Sequence, residues 1–370
     1  MTASLSDWYR GRRVYVTGHT GFKGSWLIAW LREAGAVVTG FALHPEADRP
    51  ALFRDAALDV GIDSQFGDIL DSERLRASLV SAAPEIVFHL AAQSLVRRSY
   101  REPVQTMAVN VIGTANLLEA VRLAPSTRAV IVVTSDKCYE NDGSGRPLAE
   151  DAAMGGHDPY SASKGCAELV TMAWRRSFLA PRGVAVATAR AGNVFGGGDW
   201  GEDRLIPDLV TSASRGEVTV LRNPDAIRPW QYVLEPLHGY LLLGRGLIER
   251  GEEFAEGWNF GPAGADALTV RDIARRFGDV RGRSLVSEAA ESGVMHEAPT
   301  LRLDASKAVA RLGWKPALTL DQALASTATW YRDAFDEPAA IPELVRRHLA
   351  DFTDRLSIPL PAVAGIRSNQ

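Results

Sequence analysis

Six times between residues 13 and 190 a short apolar run, mostly β-branched, gives way to a helix-patterned stretch. Parallel neighbours need a crossover of a dozen residues or more, and a helix is the usual way to make one. Regular strand–helix alternation therefore predicts the α/β class, with a doubly wound parallel sheet covered by helices on both faces. The strands are expected at 13–17, 36–43, 66–69, 85–90, 129–133 and 184–190. Long helices are expected over 103–122, from Tyr160 to about 177, at 234–249 and at 320–335.

The first unit carries the first chemical signal. Its strand runs into Gly18-His19-Thr20-Gly21-Phe22-Lys23-Gly24 and then into an apolar-patterned helix. Strand, glycine loop and helix form the setting of a dinucleotide site. The glycines let backbone approach a pyrophosphate, and the helix N-terminus offers free N–H groups and a favourable dipole. The second strand should end in an Asp or Glu to hold the adenosine ribose. This chain has His44 and Pro45 there, with Glu46, Asp48 and Arg49 beyond, so NAD and NADP both remain open. Asp68 fits either an adenine contact or a helix N-cap region. Small residues after the fourth strand, Ala91 and Ala92, leave room for a cofactor; His89 reads as a core histidine.

The fifth strand is apolar through Val133 and then turns abruptly polar at Thr134, Ser135, Asp136 and Lys137. Ligands of open α/β sheets bind beyond the carboxyl ends of the strands, which is where these residues fall. Pro159 then opens a helix in which Tyr160 and Lys164 share a face. A free tyrosine is a poor base at neutral pH, and a nearby ammonium stabilises its phenolate. Tyr-x-x-x-Lys is thus suited to removing a proton from a sugar hydroxyl.

The 370 residues suggest two or three domains; 46% hydrophobic and 23% charged content is ordinary for a globular protein. A net charge of -4 and a pI near 6.0 argue against nucleic acid or an anionic membrane as partner. Two cysteines, Cys138 and Cys166, without a CxxC pair fit a reducing compartment and argue against structural zinc. With no signal pattern and no long apolar run, the chain is expected in the cytoplasm. No metal is expected.

After Arg190 the texture changes to short mixed elements rich in Arg, Trp and Pro. A nucleotide-binding domain over 10–192, with later core elements near 233–262, is expected to be followed by an interleaved substrate lobe over 193–335 and a tail over 336–370. Arginine suits a diphosphate and tryptophan offers a face to a base, which draws attention to Arg204, Arg222, Arg228 and Trp230.

Together, Thr17–Trp26, Thr134-Ser-Asp-Lys-Cys-Tyr139, Asp158–Glu168, Arg190-Ala-Gly-Asn193, Gly196–Trp200, Arg204–Asp208, Ile227-Arg-Pro-Trp230 and Gly257–Pro262 make the chain resemble the extended short-chain dehydrogenase/reductases. Within them it is similar to the 4,6-dehydratases acting on CDP-glucose. The glycine loop and Tyr-x-x-x-Lys belong to the whole superfamily; Ser-Asp-Lys-Cys-Tyr and Arg-Pro-Trp are more specific. The likeness covers 14 to about 315 and implies a Rossmann-type sheet with a smaller C-terminal substrate-binding lobe. It implies NAD as cofactor, a nucleotide diphosphate sugar as substrate, and a homodimer or homotetramer. It implies NAD held by Gly18, Thr20, Gly21, Phe22, Lys23, Asp68, Ile69, Leu90, Ala91, Ala92, Gln93, Asn110, Thr134, Tyr160 and Lys164. Ser94, Ser135, Asn193, Arg204, Arg222, Arg228 and His296 would hold the substrate. Tyr160 would remove the 4-hydroxyl proton with help from Lys164 and Ser135. Asp136 would then be the acid at the C6 hydroxyl and Lys137 the base at C5.

Two other readings stay open. A nucleotide-sugar 4-epimerase shares the loop and the Tyr/Lys pair but needs no eliminating acid and base. A non-catalytic NAD(P)-binding regulator commonly loses the tyrosine or lysine, and both are present here.

Overall fold

The alternation builds one seven-stranded, all-parallel sheet. Its strands are β1 (Arg13–Thr17), β2 (Val37–Ala42), β3 (Asp63–Phe66), β4 (Ile86–His89), β5 (Ala129–Val133), β6 (Ala185–Ala191) and β7 (Gly257–Phe260), in the spatial order β7-β6-β5-β4-β1-β2-β3. A computed structural model describes residues 4–221, 223–262, 267–281, 286–287 and 300–356. Every residue of β4, β5 and β6 is buried, as expected of parallel strands covered on both faces. The two-residue period divides them between two cores. Val14, Val16 and Ile131 face one side; Tyr15, Val130 and Val132 face the other.

On the first side pack α1 (Phe22–Glu33), α6 (Leu234–Arg250), α7 (Leu320–Asp336) and α8 (Ile341–Leu356). On the second pack α2 (Ser72–Ala82), α3 (Gly113–Arg122) and α4 (Pro159–Trp174). A further helix, α5 (Leu205–Ser214), belongs to the segment that follows the sheet's sixth strand. Among the described residues no helix is long and apolar enough to cross a membrane.

Three features differ from the sequence expectation. The third strand lies at Asp63–Phe66, three residues earlier than 66–69. Asp-Ser-Gln-Phe is an edge strand with little apolar signal, and at Gly67 the chain leaves the ladder with a last bond to the Ala42 carbonyl (2.9 Å). A seventh strand, β7, was not anticipated as such, because its four residues include a buried polar Asn259. The stretch expected as one helix over 103–122 carries a π-helical turn at Ala108–Ile112 before α3. The amphipathic stretch expected after 336 is the helix α8. Ile341, Leu344, Val345, Leu349 and Phe352 of α8 join the main core, and the Phe352 ring packs edge-on to Trp30 (5.7 Å).

Candidate active site

The order of the sheet reverses beside β1, whose neighbours are β2 and β4, and a crevice opens there at the carboxyl ends of the strands. A cleft of about 810 Å³ starts in this crevice and extends between the sheet and the segment after β6.

The glycine loop forms one wall. Gly18 adopts φ +73° and lies so close to the chain after β4 that an added Cβ would stand 2.6 Å from the Ala91 nitrogen. A Cβ on Gly24 would stand 2.0 Å from the Gly18 carbonyl oxygen, so α1 starts directly against the loop. Gly21 caps α1 without any side-chain bond to the first-turn amides, which leaves those N–H groups for an external acceptor. An open amide cradle beside a bare strand end fits a dinucleotide pyrophosphate. Thr20, Phe22, Lys23, Asp68, Ile69, Leu90, Ala92 and Gln93 also line the cleft.

Asp71 caps α2, which removes the capping alternative for Asp68; the half-buried Asp68 carboxylate accepts from the Leu70 amide (2.9 Å). At the end of β2 the exposed His44 stacks on Phe66 (3.6 Å between centroids), and Arg49 pairs with Glu46 (3.1 Å) and with Glu202. His89 is a core residue, bonded to Thr17 (2.7 Å) and Thr114 (3.1 Å), and burial lowers its pKa to about 3.

The catalytic candidates converge from two elements. β5 ends at Val133, and Ser135 caps a single 3-10 turn, Asp136–Cys138, its hydroxyl accepting from the Lys137 amide (3.2 Å). This tight turn places Asp136 and Lys137 side by side. The Lys137 ammonium donates to Asp136 Oδ1 (3.2 Å) and to Asn193 Oδ1 (3.3 Å), and the Ser135 hydroxyl donates to the same Asp136 oxygen (2.9 Å). Asp136 is fully buried, and its other oxygen, Oδ2, has no hydrogen-bond partner among the described residues.

Asp158 and Pro159 start α4 opposite this turn and orient Tyr160 and Lys164. Burial pushes the Tyr160 phenol up to about 12, opposed by the Ser135 hydroxyl and the Arg204 charge. Burial lowers Lys164 to about 8, opposed by the Glu168 carboxylate, and its ammonium reaches the Val133 carbonyl (3.3 Å). Lys23 is lowered to about 7 by burial and by the neighbouring charges of Arg204, Lys164 and Lys137, with Asp136 opposing.

The substrate candidates Ser94, Ser135, Asn193, Arg204 and Arg228 all line the cleft. Arg204 is held by Asp199 (2.9 and 3.0 Å) and donates to Ser94 (3.1 Å). Asp199 lies inside the Gly196–Trp200 run, where only the fold brings Arg204 against it. Tyr331 of α7 fixes it by donating to its carbonyl (2.6 Å). Arg222 and His296 lie outside the described residues. Asn110 does not line the cleft. It sits 1% exposed on the π turn, where its side chain bonds the backbone of Gln93 (2.9 and 3.0 Å) and the Ser163 hydroxyl (2.8 Å). It braces the β4 loop against α4. Among the described residues no group of three or more His, Cys, Asp or Glu is placed to hold a metal.

The sequence profile of the GDP-mannose 4,6 dehydratase family matches residues 15–327. A CDP-glucose 4,6-dehydratase of Salmonella typhimurium is 48% identical over 331 residues, 88% of this chain and 92% of that protein. Among solved structures, DesIV, a dTDP-glucose 4,6-dehydratase from Streptomyces venezuelae, in a double mutant with NAD bound, superposes with a TM-score of 0.75 at 27% identity, covering 88% of this chain and 99% of its own. MoeE5 in complex with UDP-glucose and NAD gives 0.74 at 25% identity, covering 87% and 99%.

Proposed function

The chain belongs to the GDP-mannose 4,6 dehydratase family, and from that membership we propose that it is an NAD-dependent CDP-glucose 4,6-dehydratase, a hydro-lyase yielding CDP-4-keto-6-deoxyglucose. The observation that carries this reading is the Asp136–Lys137 pair at the end of β5, with Lys137 and Tyr160 lining the cleft and Asp136 buried behind Lys137, in a chain so similar to a dehydratase named for that substrate. An epimerase has no use for such a pair, and a regulator has no use for an intact Tyr160 and Lys164.

Tyr160 takes the proton of the sugar 4-hydroxyl, with the Ser135 hydroxyl beside it and the Lys164 charge favouring the phenolate. Bound NAD would hold the hydride from C4 until its return to C6. Once C4 is a ketone, the C5 proton is acidic; a proton passed from Lys137 to Asp136 within their 3.2 Å pair leaves an amine to remove it and an acid to protonate the departing C6 hydroxyl, which leaves as water. When C6 receives the hydride back, the Lys137 ammonium returns its proton to C5, and the proton held by Tyr160 restores Asp136 through the Ser135 hydroxyl that bonds both, so the sum is loss of water with no net redox change. Asn193 orients Lys137, and Arg204, held by Asp199, faces the sugar diphosphate with Arg228. The open amides of α1, with Gly18, Gly21 and Phe22, hold the cofactor. Arg49 is already engaged by Glu46 and Glu202, which supports NAD over NADP. Exposed Val104, Ile112, Leu169 and Phe178 on the helical segments around Asn110 and Tyr160 support pairing of two copies through that face.

The test is isotopic. CDP-glucose labelled with deuterium at C4 should give a product labelled in its own methyl group. Loss of the label to solvent, or its retention at C4, would sink the proposal. Lys137→Ala should slow product formation by ~10²-fold or more while a reduced-nicotinamide signal still forms. Near wild-type formation of the 4-keto sugar would remove Lys137 from its role.

A further inference from the structure

The face of α4 that carries Tyr160 and Lys164 presents one more ionisable side chain, Glu168, a turn beyond Lys164. It is 6% exposed, and its carboxylate is fully engaged. Arg190 donates to it twice (2.8 Å each), the Thr188 hydroxyl donates (2.7 Å), and so does the Thr134 hydroxyl. Arg190 also donates to the Tyr139 hydroxyl (2.6 Å), which in turn donates to Asn259 (2.7 Å) on β7. A buried ion pair of this kind is weak evidence of stability, since apolar residues often replace it without loss.

Two placements point past a scaffold. Thr134 directly precedes Ser135, so the carboxylate grips the chain from which Ser135, Asp136 and Lys137 project. The other placement concerns what faces Lys164. Besides Tyr160 and Glu168 on its own helix, these groups are Cys138 from the turn after β5, His89 of β4 and Lys23 of α1. Burial keeps the Cys138 thiol and the His89 ring uncharged near neutral pH, and Lys23 is a cation or neutral. Glu168 is therefore the anion of that set.

We propose that Glu168 is a positioning residue for the reaction: clamped by Arg190, it holds Thr134 at the strand end and supplies the negative charge that keeps the Lys164 ammonium in place beside Tyr160. The inference rests on the role given to Lys164 above. Without that charge Lys164 gives up its proton at lower pH, and Tyr160 loses its cation under conditions in which the wild type keeps it.

The test reads Lys164 directly, by NMR titration of protein labelled at lysine Cε, alongside the pH profile of kcat/KM with CDP-glucose. In Glu168→Gln the Lys164 titration should fall by ~1 pH unit, and the alkaline loss of activity should move down with it. Glu168→Asp should restore most of both. If Glu168→Gln does not fold, Glu168→Gln combined with Arg190→Met removes both buried charges, and its Lys164 titration should still fall, by less. An unmoved titration with activity lowered equally at every pH would overturn the inference and leave Glu168 a structural residue. Should the wild type make no 4-keto product from CDP-glucose, the functional reading fails instead, and the titration still decides the role of Glu168.

Discussion

At the scale of single residues, the pocket holds its chemistry in check until it is filled. Burial raises the Tyr160 phenol to about 12 and lowers Lys164 to about 8, so each is pushed toward its neutral form. A sugar hydroxyl and a positively charged nicotinamide would change that balance. The glycine loop has a more mechanical constraint, because α1 begins in contact with Gly18. Gly24→Ala would drive a methyl group into the Gly18 carbonyl, with backbone on both sides and no flexible side chain to give way. The expected result is at least a roughly tenfold loss of NAD affinity by calorimetry, equal to about 1.4 kcal/mol, with a lower melting temperature. Unchanged affinity and melting would show that the loop does not need this close approach.

At the scale of elements, α6 and the chain leading into α7 are joined by a buried carboxylate. Glu235, 2% exposed, accepts from the amides of Ala317 (3.0 Å) and Leu318 (2.9 Å), and its carbonyl accepts from the Trp314 indole (2.9 Å). Burial raises its pKa to about 7 against the pull of those amides. The folded state therefore binds a proton that the unfolded chain releases near 4.5. The stability this gives is complete below about 4.5 and is lost as pH rises through about 7. Glu235→Gln keeps an oxygen for both amides and carries no charge to desolvate. It should match the wild type near pH 5 and exceed it at pH 8, by on the order of 3 kcal/mol at most, in denaturant titrations. A gap that does not grow with pH would refute this assignment.

At the scale of the whole molecule, the cleft lies between the sheet and the segment after β6, and the Asp199 loop is tied back to α7 by Tyr331. A ligand that spans such a cleft binds the folded chain alone. NAD at 100 times its dissociation constant should stabilise the protein by about 2.7 kcal/mol, read as a rise in melting temperature; no rise at any NAD concentration would contradict the cofactor assignment. Much of this architecture was legible in sequence. β1, β5 and the span of α4 follow from β-branched runs, glycine spacing and Pro159, because parallel strands buried on both faces must be continuously apolar. Ser135 and Lys137 line the cleft where the rule for strand ends puts them, and Tyr160 and Lys164 line it from one helix face, as their four-residue spacing requires. Local signals failed where long-range contacts govern. β3 and β7 are short and partly polar, and become strands only beside β2 and β6. Asn110 has the chemistry of a ligand-binding residue but is used up by Gln93 and Ser163, and Glu168 looks like any surface helix acid until β6 brings Arg190 against it. The sequence by itself determined which residues carry ionisable chemistry and which runs form the sheet, since propensity and periodicity are local. Only the tertiary structure decided which of those polar groups face the cleft and which neutralise one another beneath it, because that depends on partners tens of residues away and on the water each pair excludes.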